Sequence, residues 1–275
     1  RRTIKAPPSL LDGKGGAAFY TLAIFTGGQT PPRTPETYPQ GCGFASFTLP
    51  GTGAFTLVGV LADGTKVSQG ASLVEGYSAP VFIQLTTPGA STKKGAFSGH
   101  LQFAIEQPHR DISSAGCLWI RPTVLETRNA VTQPYTSGWP GGIAATVAGA
   151  RYDKTLSIQS ALGLNVAPAG ISNARLEFGG GRQLESVATT QLNLTGSRIA
   201  KIPLSNTSFS LVITPSTGLI SGTFTPTWTN PSRTRPAFQG ILIQGGPQRG
   251  GHGFFLSNRL GDTDPESGYF LLHKP

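Results

Sequence analysis

The stretch GAFSGHLQF at residues 95–103 returns in the second half of the chain as GLISGTF at residues 218–224. In both copies apolar residues occupy alternate positions, which is the period of a β-strand whose successive side chains point to opposite faces. The first glycine and the Ser-Gly pair keep the same spacing. The shared positions carry no reactive side chain, so the repeat indicates a duplicated architecture and not a duplicated active site.

The same alternation recurs along the rest of the chain at intervals of about ten residues, separated by turns rich in glycine and proline. One turn, Asp63-Gly64, lies between two alternating runs and is a strong hairpin signal. Helical periodicity is absent apart from a weak signal at residues 155–162. Sequential hairpins favour meanders over Greek keys. We therefore predict an all-β protein of two related antiparallel, meandering β-barrel, or barrel-like sandwich, domains.

Composition shifts divide the chain into four parts. Residues 1–15 contain a Pro-Pro pair and a Gly-Lys-Gly-Gly stretch, which predict an extended N-terminal arm. Residues 16–122 are assigned to the first barrel, 123–152 to an aromatic, Gly/Pro-rich linker lying on the barrels, and 153–275 to the second barrel. An arm of this kind, added as a strand to the open edge of a neighbouring copy, would join copies into a filament.

The charge balance constrains the partners. The formal net charge is +9, but charged residues make up only 13% of the chain, about half the usual fraction. Lysine and arginine are scattered and do not interleave with aromatic residues as in a single-strand groove, so we expect no specific nucleic-acid partner. No apolar run approaches the ~18 residues of a membrane span. The chain lacks methionine even at position 1, which indicates processing or a fragment of a longer protein.

The two cysteines, Cys42 and Cys117, both lie in strand-like segments of the first half. Closure of the first barrel would make its early and final strands neighbours, which predicts a disulfide between them and hence an oxidising compartment. The alternative is a pair of buried free thiols. Two cysteines at this spacing do not match a zinc signature.

Several segments, in this order, resemble a known repeat. They are GAFTLVGVLADGT at 53–65, GAFSG at 95–99, WIRP at 119–122, GARY at 149–152, ITPSTGLISGTF at 213–224, FQGILIQ at 238–244 and HGFFL at 252–256. This order is similar to a duplicated all-β unit of large secreted or surface proteins of verrucomicrobial and planctomycete-type bacteria, a family of unknown function. The resemblance implies export and a modular, surface-associated role, and it supplies no catalytic residue. Cys42 and Cys117 depart from the family pattern.

Candidate chemistry is sparse. Hydrolysis needs a nucleophile with a base, or two carboxylates at a suitable separation, and only 13 acidic residues exist, mostly in turns. Asp262, Asp264 and Glu266 place oxygen donors at alternate positions, as a calcium loop does, but without the spacing of known calcium-binding hands. Acidic turns between strands are common, so no metal or other cofactor is assigned. We predict that the protein is not an enzyme.

Two aromatic residues are the better indication of a ligand. Flat aromatic faces suit sugar rings, and Tyr135 and Trp139 lie in the predicted linker beside glycines that would let a ligand approach. Packing between the domains is the favoured alternative for both, because linkers with large aromatic residues tend to be tied down.

The sequence thus predicts a secreted or cell-surface, non-catalytic structural or adhesive module, whose partners are copies of itself, other surface proteins or polysaccharide. A carbohydrate-binding module is the competing class. A polysaccharide-degrading enzyme, with a carboxylate pair across a barrel mouth, is the third.

Overall fold

The computed structural model describes residues 2–29, 33–86, 94–107, 110–123, 134–183, 188–228, 234–258 and 265–275. Two antiparallel sheets of eight strands each make up this part of the chain. Each sheet curls around its own apolar core. The prediction of an all-β protein with two barrel-like units is therefore confirmed.

The first sheet has the order β4-β3-β2-β1-β8-β7-β6-β5. Its edge strands β4 and β5 approach each other where Val74 and Ser78 form a bridge, so the sheet is barrel-like. The strands are β1 (Ala18–Phe25), β2 (Gly43–Leu49), β3 (Ala54–Val60), β4 (Lys66–Ser72), β5 (Ser78–Thr86), β6 (Lys94–Phe103), β7 (Ile112–Arg121) and β8 (Trp139–Arg151).

The second sheet has the order β11-β10-β9-β16-β15-β14-β13-β12. Its edge strands β11 and β12 face each other across an open seam, where the Lys201 ammonium donates to the Phe209 carbonyl. The strands are β9 (Ala174–Gly180), β10 (Ala188–Thr195), β11 (Arg198–Ile202), β12 (Phe209–Ile213), β13 (Leu219–Phe224), β14 (Ala237–Ile243), β15 (Gly250–Leu256) and β16 (Ser267–His273).

Helical structure is confined to short segments. The helix α1 (Ile158–Leu162) begins after Ser157, whose hydroxyl accepts from the Ser160 N–H, and ends at Gly163 with φ of 65°. Single 3-10 turns occur at Pro8–Leu10 and Pro35–Thr37. Across the described ranges, no helix has the length and apolar character needed to cross a bilayer.

The repeated sequence motif occupies matching places in the two sheets. It forms β6 in the first and β13 in the second, and each is the second strand from the open edge. A Cβ at Gly99 would overlap the Cys117 side chain, and one at Gly222 would overlap the Ser210 carbonyl. The glycine common to both copies is thus required by close approach of a neighbouring strand, which accounts for its presence in both.

Aromatic rings fill both interiors. In the first barrel Phe47 stacks against Tyr20 at 5.2 Å and against Phe55 at 4.2 Å between ring centroids. In the second, Phe178 stacks on Phe224 at 4.1 Å. All five side chains are less than 9% exposed. These rings pack in the barrel interiors, where alternate strand positions point inward.

The predicted N-terminal arm packs against the first barrel of its own chain. Its backbone pairs with the first barrel, with the Ile4 N–H donating to the Leu73 carbonyl at 2.9 Å. Leu10 and Leu11 are 0% and 5% exposed, and the Tyr20 hydroxyl donates to the Leu10 carbonyl. The arm thus packs on its own barrel, and a role in joining copies into a filament stays a prediction.

The predicted linker at 123–152 is wrong for most of its described length, because Trp139–Arg151 is strand β8. This strand pairs with both β1 and β7 and so completes the first sheet. The first unit therefore extends to Arg151 and not to the predicted boundary at residue 122. The strand was missed because glycine and proline are typical of loops. Its remaining residues alternate between buried and exposed positions.

The two barrels share a buried interface. The Thr21 hydroxyl of β1 donates to the Leu242 carbonyl of β14 at 2.8 Å, and the Cys42 N–H donates to the Gly253 carbonyl at 3.1 Å. A separate apolar cluster lies around these bonds and takes residues from both sheets. Its buried members are Ala23, Phe44, Ala62, Ala150, Ile241, Ile243 and Phe254. Burial of apolar area and satisfied backbone groups hold the units together.

Candidate functional site

The outer surface of strands β5, β6 and β7 carries a row of side chains that we call the Phe82 face. Phe82 is 63% exposed and lies opposite Ser98, which in turn lies opposite Leu118, itself 39% exposed. Strands are spaced about 4.8 Å apart, so this row spans roughly 10 Å across the sheet. It is an apolar platform interrupted by one hydroxyl.

Polar but uncharged side chains flank the row. Gln84 lies two residues from Phe82 on the same side of β5, and His100 lies two residues from Ser98 on β6. Both are exposed. An exposed ring beside amide, hydroxyl and imidazole groups offers one stacking surface and several hydrogen-bonding partners. This arrangement is suited to an uncharged polyhydroxylated ligand, whereas the chain as a whole is basic.

Sequence analysis missed Phe82 because it lies inside a continuous apolar run. Its neighbours Val81, Ile83 and Leu85 are each 4% exposed and point into the barrel. Phe82 must therefore point outward, since successive strand residues alternate between faces. The odd-numbered positions 81, 83 and 85 are the buried ones, so the even position of Phe82 was the signal that would have identified it as exposed.

Tyr135 and Trp139, the predicted sugar platform, are buried at 2% and 1% exposure. Trp139 packs edge-on against Trp119 at 4.8 Å and Tyr135 at 5.6 Å between centroids. The Tyr135 hydroxyl accepts from the Ser267 N–H of the second sheet at 2.8 Å. Neither ring has a face open to a ligand, so the expectation of exposed aromatics is corrected. Trp139 packs within the core of the first barrel, and the Tyr135 hydroxyl makes the contact to the second.

A polar groove of about 410 Å³ lies where the N-terminal segment meets the connection between the barrels. Asp12 and Asp153 both line it, and a glycosidase requires two carboxyl groups at a suitable separation. Hydrogen bonds from the Lys14 and Gly16 N–H groups lower the pKa of Asp12. The hydroxyl and N–H of Thr155 lower the pKa of Asp153. Both are ionised turn residues, and neither has the raised pKa of a general acid.

The predicted disulfide between Cys42 and Cys117 is wrong in this structure, which holds both as free thiols. Cys42 precedes β2 and faces the second sheet, whereas Cys117 lies on β7 and faces the interior of the first. Strands β1 and β8 lie between β2 and β7 in the sheet. Three strand spacings therefore separate β2 from β7, a distance of about 14 Å. A disulfide needs Cα atoms within about 7 Å. The prediction placed Cys117 on the last strand of the first unit, but β8 follows β7 and is the strand that pairs with β1.

Both thiols are expected to react slowly with a disulfide reagent in the native protein and to titrate as two equivalents after denaturation. Desolvation raises the pKa of Cys42 to about 12, and burial also raises the pKa of Cys117. The thiolate, which is the reactive form, is therefore scarce at neutral pH. Stoichiometric thiol titration with and without denaturant measures this. Detection of fewer than two thiols in the denatured, unreduced protein would contradict it.

The same shifts set a pH dependence. The unfolded thiols ionise near pH 8.5, whereas the folded ones keep their protons. Below about pH 8.5 the thiols therefore do not change the free energy of unfolding. As the pH rises from there toward 12, the free energy of unfolding declines.

The calcium prediction rests mainly on residues outside the described ranges, since Asp262 and Asp264 both lie there. Glu266 is described and is 4% exposed. Its carboxylate pairs with the Arg182 guanidinium at 2.8 Å, so an arginine holds a position that a cation would take. Within the described residues, no three histidine, cysteine or acidic side chains come together as a metal site.

Comparison with protein-family models finds no match for this chain, and comparison with curated proteins finds none either. The resemblance to a bacterial surface repeat stays a prediction. The features of the molecule that bear on its function are the two joined barrels and the Phe82 face.

Proposed function

We propose that the protein is a non-catalytic structural and adhesive module of an extracellular or cell-surface assembly. The observation that supports this most is the shared interface, in which an apolar cluster and buried hydrogen bonds join the two barrels. Such a unit holds its outer faces in a fixed relative orientation, and pre-organised surfaces lose less entropy on binding. A rigid support for contact surfaces is what an adhesive module needs.

The use of buried polar groups favours the same conclusion. The Gln244 side chain donates to the Asp153 carbonyl and accepts from the Asp153 N–H, which fixes the connection between the barrels. Asn173 bonds in the same two-way manner to Leu194 of β10. These amides satisfy backbone groups of the connection between the barrels and of β10, which is a structural role.

A polysaccharide-degrading enzyme receives less support. Asp12 and Asp153 share a groove, but hydrogen bonds to their carboxylates favour the ionised form of each. A glycosidase needs one carboxyl group that keeps its proton until it protonates the leaving oxygen. These two side chains are suited to holding turns.

Carbohydrate binding is the second candidate, and the Phe82 face is the observation that favours it. A ring that is 63% exposed on a strand, flanked by uncharged hydrogen-bonding groups, has no role in the barrel interior. Sugar rings present apolar C–H faces and hydroxyl rims, which match such a surface. In this form the adhesive partner would be an uncharged polysaccharide.

Replacing Phe82 by alanine is expected to reduce retention on insoluble, uncharged polysaccharides at least about tenfold, while leaving stability within about 0.5 kcal/mol. Retention is measured by pull-down over a panel of such polymers, with thermal unfolding of the same variants. Val212→Ala is the matched control, because Val212 is 59% exposed on β12 of the other barrel.

Three outcomes would count against the proposals. Equal retention of the Phe82 and Val212 variants would remove the Phe82 face as the binding surface. Absence of retention on every polymer would reject carbohydrate as the partner. Release of new reducing ends from any polymer would contradict a non-catalytic module.

A further inference from the structure

A groove on the second barrel lies between the outer face of the β10–β11 hairpin and the loop at residues 166–171. Its volume is about 670 Å³. We call it the β11 groove. Small-molecule sites in proteins range from about 300 to 1,000 Å³, so this groove is of a size that takes a compact ligand.

Small and aliphatic residues make most of its lining. Ala169, Gly170 and Ala200 are small lining residues, and Ile202 and Leu204 add larger aliphatic side chains. Leu204 is 83% exposed. Such a concentration of solvent-exposed aliphatic surface is unfavourable in water, and on soluble proteins it marks a surface that is covered by a partner or ligand.

The groove is held in one shape by Asn193. The Asn193 amide donates to the carbonyls of Pro168 at 2.8 Å and Ile171 at 2.6 Å, which ties the loop to β10. Asn193 is itself 5% exposed. A groove fixed in this way does not have to be ordered when a ligand enters, which favours binding.

Two cationic side chains, Arg198 and Lys201, also line the groove, and no acidic residue does so among the described residues. Lys201 is anchored, since its ammonium donates to the Phe209 carbonyl and lies 4.8 Å from the centroid of the Phe209 ring. Arg198 is exposed at the turn end of β11. Its guanidinium presents paired donors in the geometry that a carboxylate accepts.

We propose that the β11 groove binds a small amphiphile, a molecule with an apolar body and a single carboxylate group. The apolar body would cover the Ala200 and Leu204 surface, and the carboxylate would pair with Arg198. An added β-strand is a poorer occupant, because the Lys201 side chain crosses the seam between the edges of β11 and β12. This site lies on the second barrel and is independent of the Phe82 face on the first.

Titration calorimetry of the full chain with octanoate and with octan-1-ol tests this proposal, since the two probes share an apolar body and differ in the charged group. Octanoate is expected to bind at one site and more tightly than octanol. Arg198→Gln should weaken octanoate on the order of tenfold, the loss expected for one charge-assisted hydrogen bond, and leave octanol unchanged. Arg175→Gln is the matched control, because Arg175 is an exposed arginine on β9 that does not line the groove.

Ala200→Leu provides a second, steric test, because the larger side chain fills part of the groove and should abolish binding of both probes. Ser221→Leu, on the exposed face of β13, is its control. The proposal is overturned if octanoate does not bind, if the Arg198 and Arg175 variants bind it equally, or if octanol binds as tightly as octanoate. If Ala200→Leu does not fold, the octanoate affinities of Arg198→Gln and Arg175→Gln are sufficient to test the proposal.

Discussion

Replacing Asp63 by alanine is expected to lower the free energy of unfolding by about 3–5 kcal/mol. Asp63 is 6% exposed and pairs with Arg121, which is 5% exposed, across the first barrel. Arg121 also lies 5.6 Å from the centroid of the Trp139 ring. Loss of the carboxylate leaves the guanidinium buried without its counter-charge, and an uncompensated buried charge is among the most costly single changes in a protein.

Asp153→Ala is the matched control for this variant. Asp153 accepts a hydrogen bond from the Thr155 N–H at 2.8 Å, just as Asp63 accepts one from the Thr65 N–H at 2.9 Å. Asp153 is exposed. Both variants lose a turn contact from an N–H, Asp153→Ala also loses the bond from the Thr155 hydroxyl, and only Asp63→Ala strands a buried arginine. Denaturant unfolding monitored by tryptophan fluorescence measures both.

A double variant separates the stranded charge from the pairing itself. Adding Arg121→Met to Asp63→Ala removes the uncompensated guanidinium, and part of the lost stability should return. A stranded charge is not the cause if Asp63→Ala is no more destabilising than Asp153→Ala. The same holds if the double variant loses as much free energy of unfolding as Asp63→Ala and Arg121→Met lose together when measured singly.

The sequence predicted the fold class because that information is local. Alternation of apolar residues and the Asp63-Gly64 turn are visible within a few residues, and both appear in the structure as the strands and hairpins expected. The strand β8 was missed because its glycines and its proline are typical of loops. Only the neighbouring strands β1 and β7 supply the pairing that stabilises an extended chain there, and no local pattern reports them.

The candidate site was less accessible to sequence reasoning for the same reason. Tyr135 and Trp139 were weighed as an exposed sugar platform because their segment resembles a linker, with packing as the favoured alternative, and tertiary contacts from Trp119 and Ser267 bury them. The exposure of Phe82 could have been predicted, because it lies between the inward-facing Val81 and Ile83 on a strand. The β11 groove was not, because it depends on the Asn193 contacts that fold a distant loop over the sheet.

Phe254→Ala is expected to destabilise the protein by about 3–5 kcal/mol and to weaken the coupling between the barrels. Phe254 is 2% exposed and belongs to the cluster shared by both sheets, with its ring centroid 6.4 Å from that of Phe44. A Cβ at Gly41 would overlap the Phe254 side chain, so the two backbones approach closely at this point. Truncation there opens a cavity that neither barrel can collapse alone, because each is held by its own hydrogen-bonded ladders.

Calorimetric unfolding distinguishes an interface effect from a general loss of core. The parent protein should unfold in one cooperative transition, and the Phe254 variant should separate into two, with a van't Hoff enthalpy below the calorimetric one. Phe82→Ala removes the same ring from a surface position and should keep the single transition within about 0.5 kcal/mol of the parent. If the parent already shows two transitions, or if Phe254→Ala unfolds like Phe82→Ala, the barrels are independent and the shared cluster does not make them one rigid support.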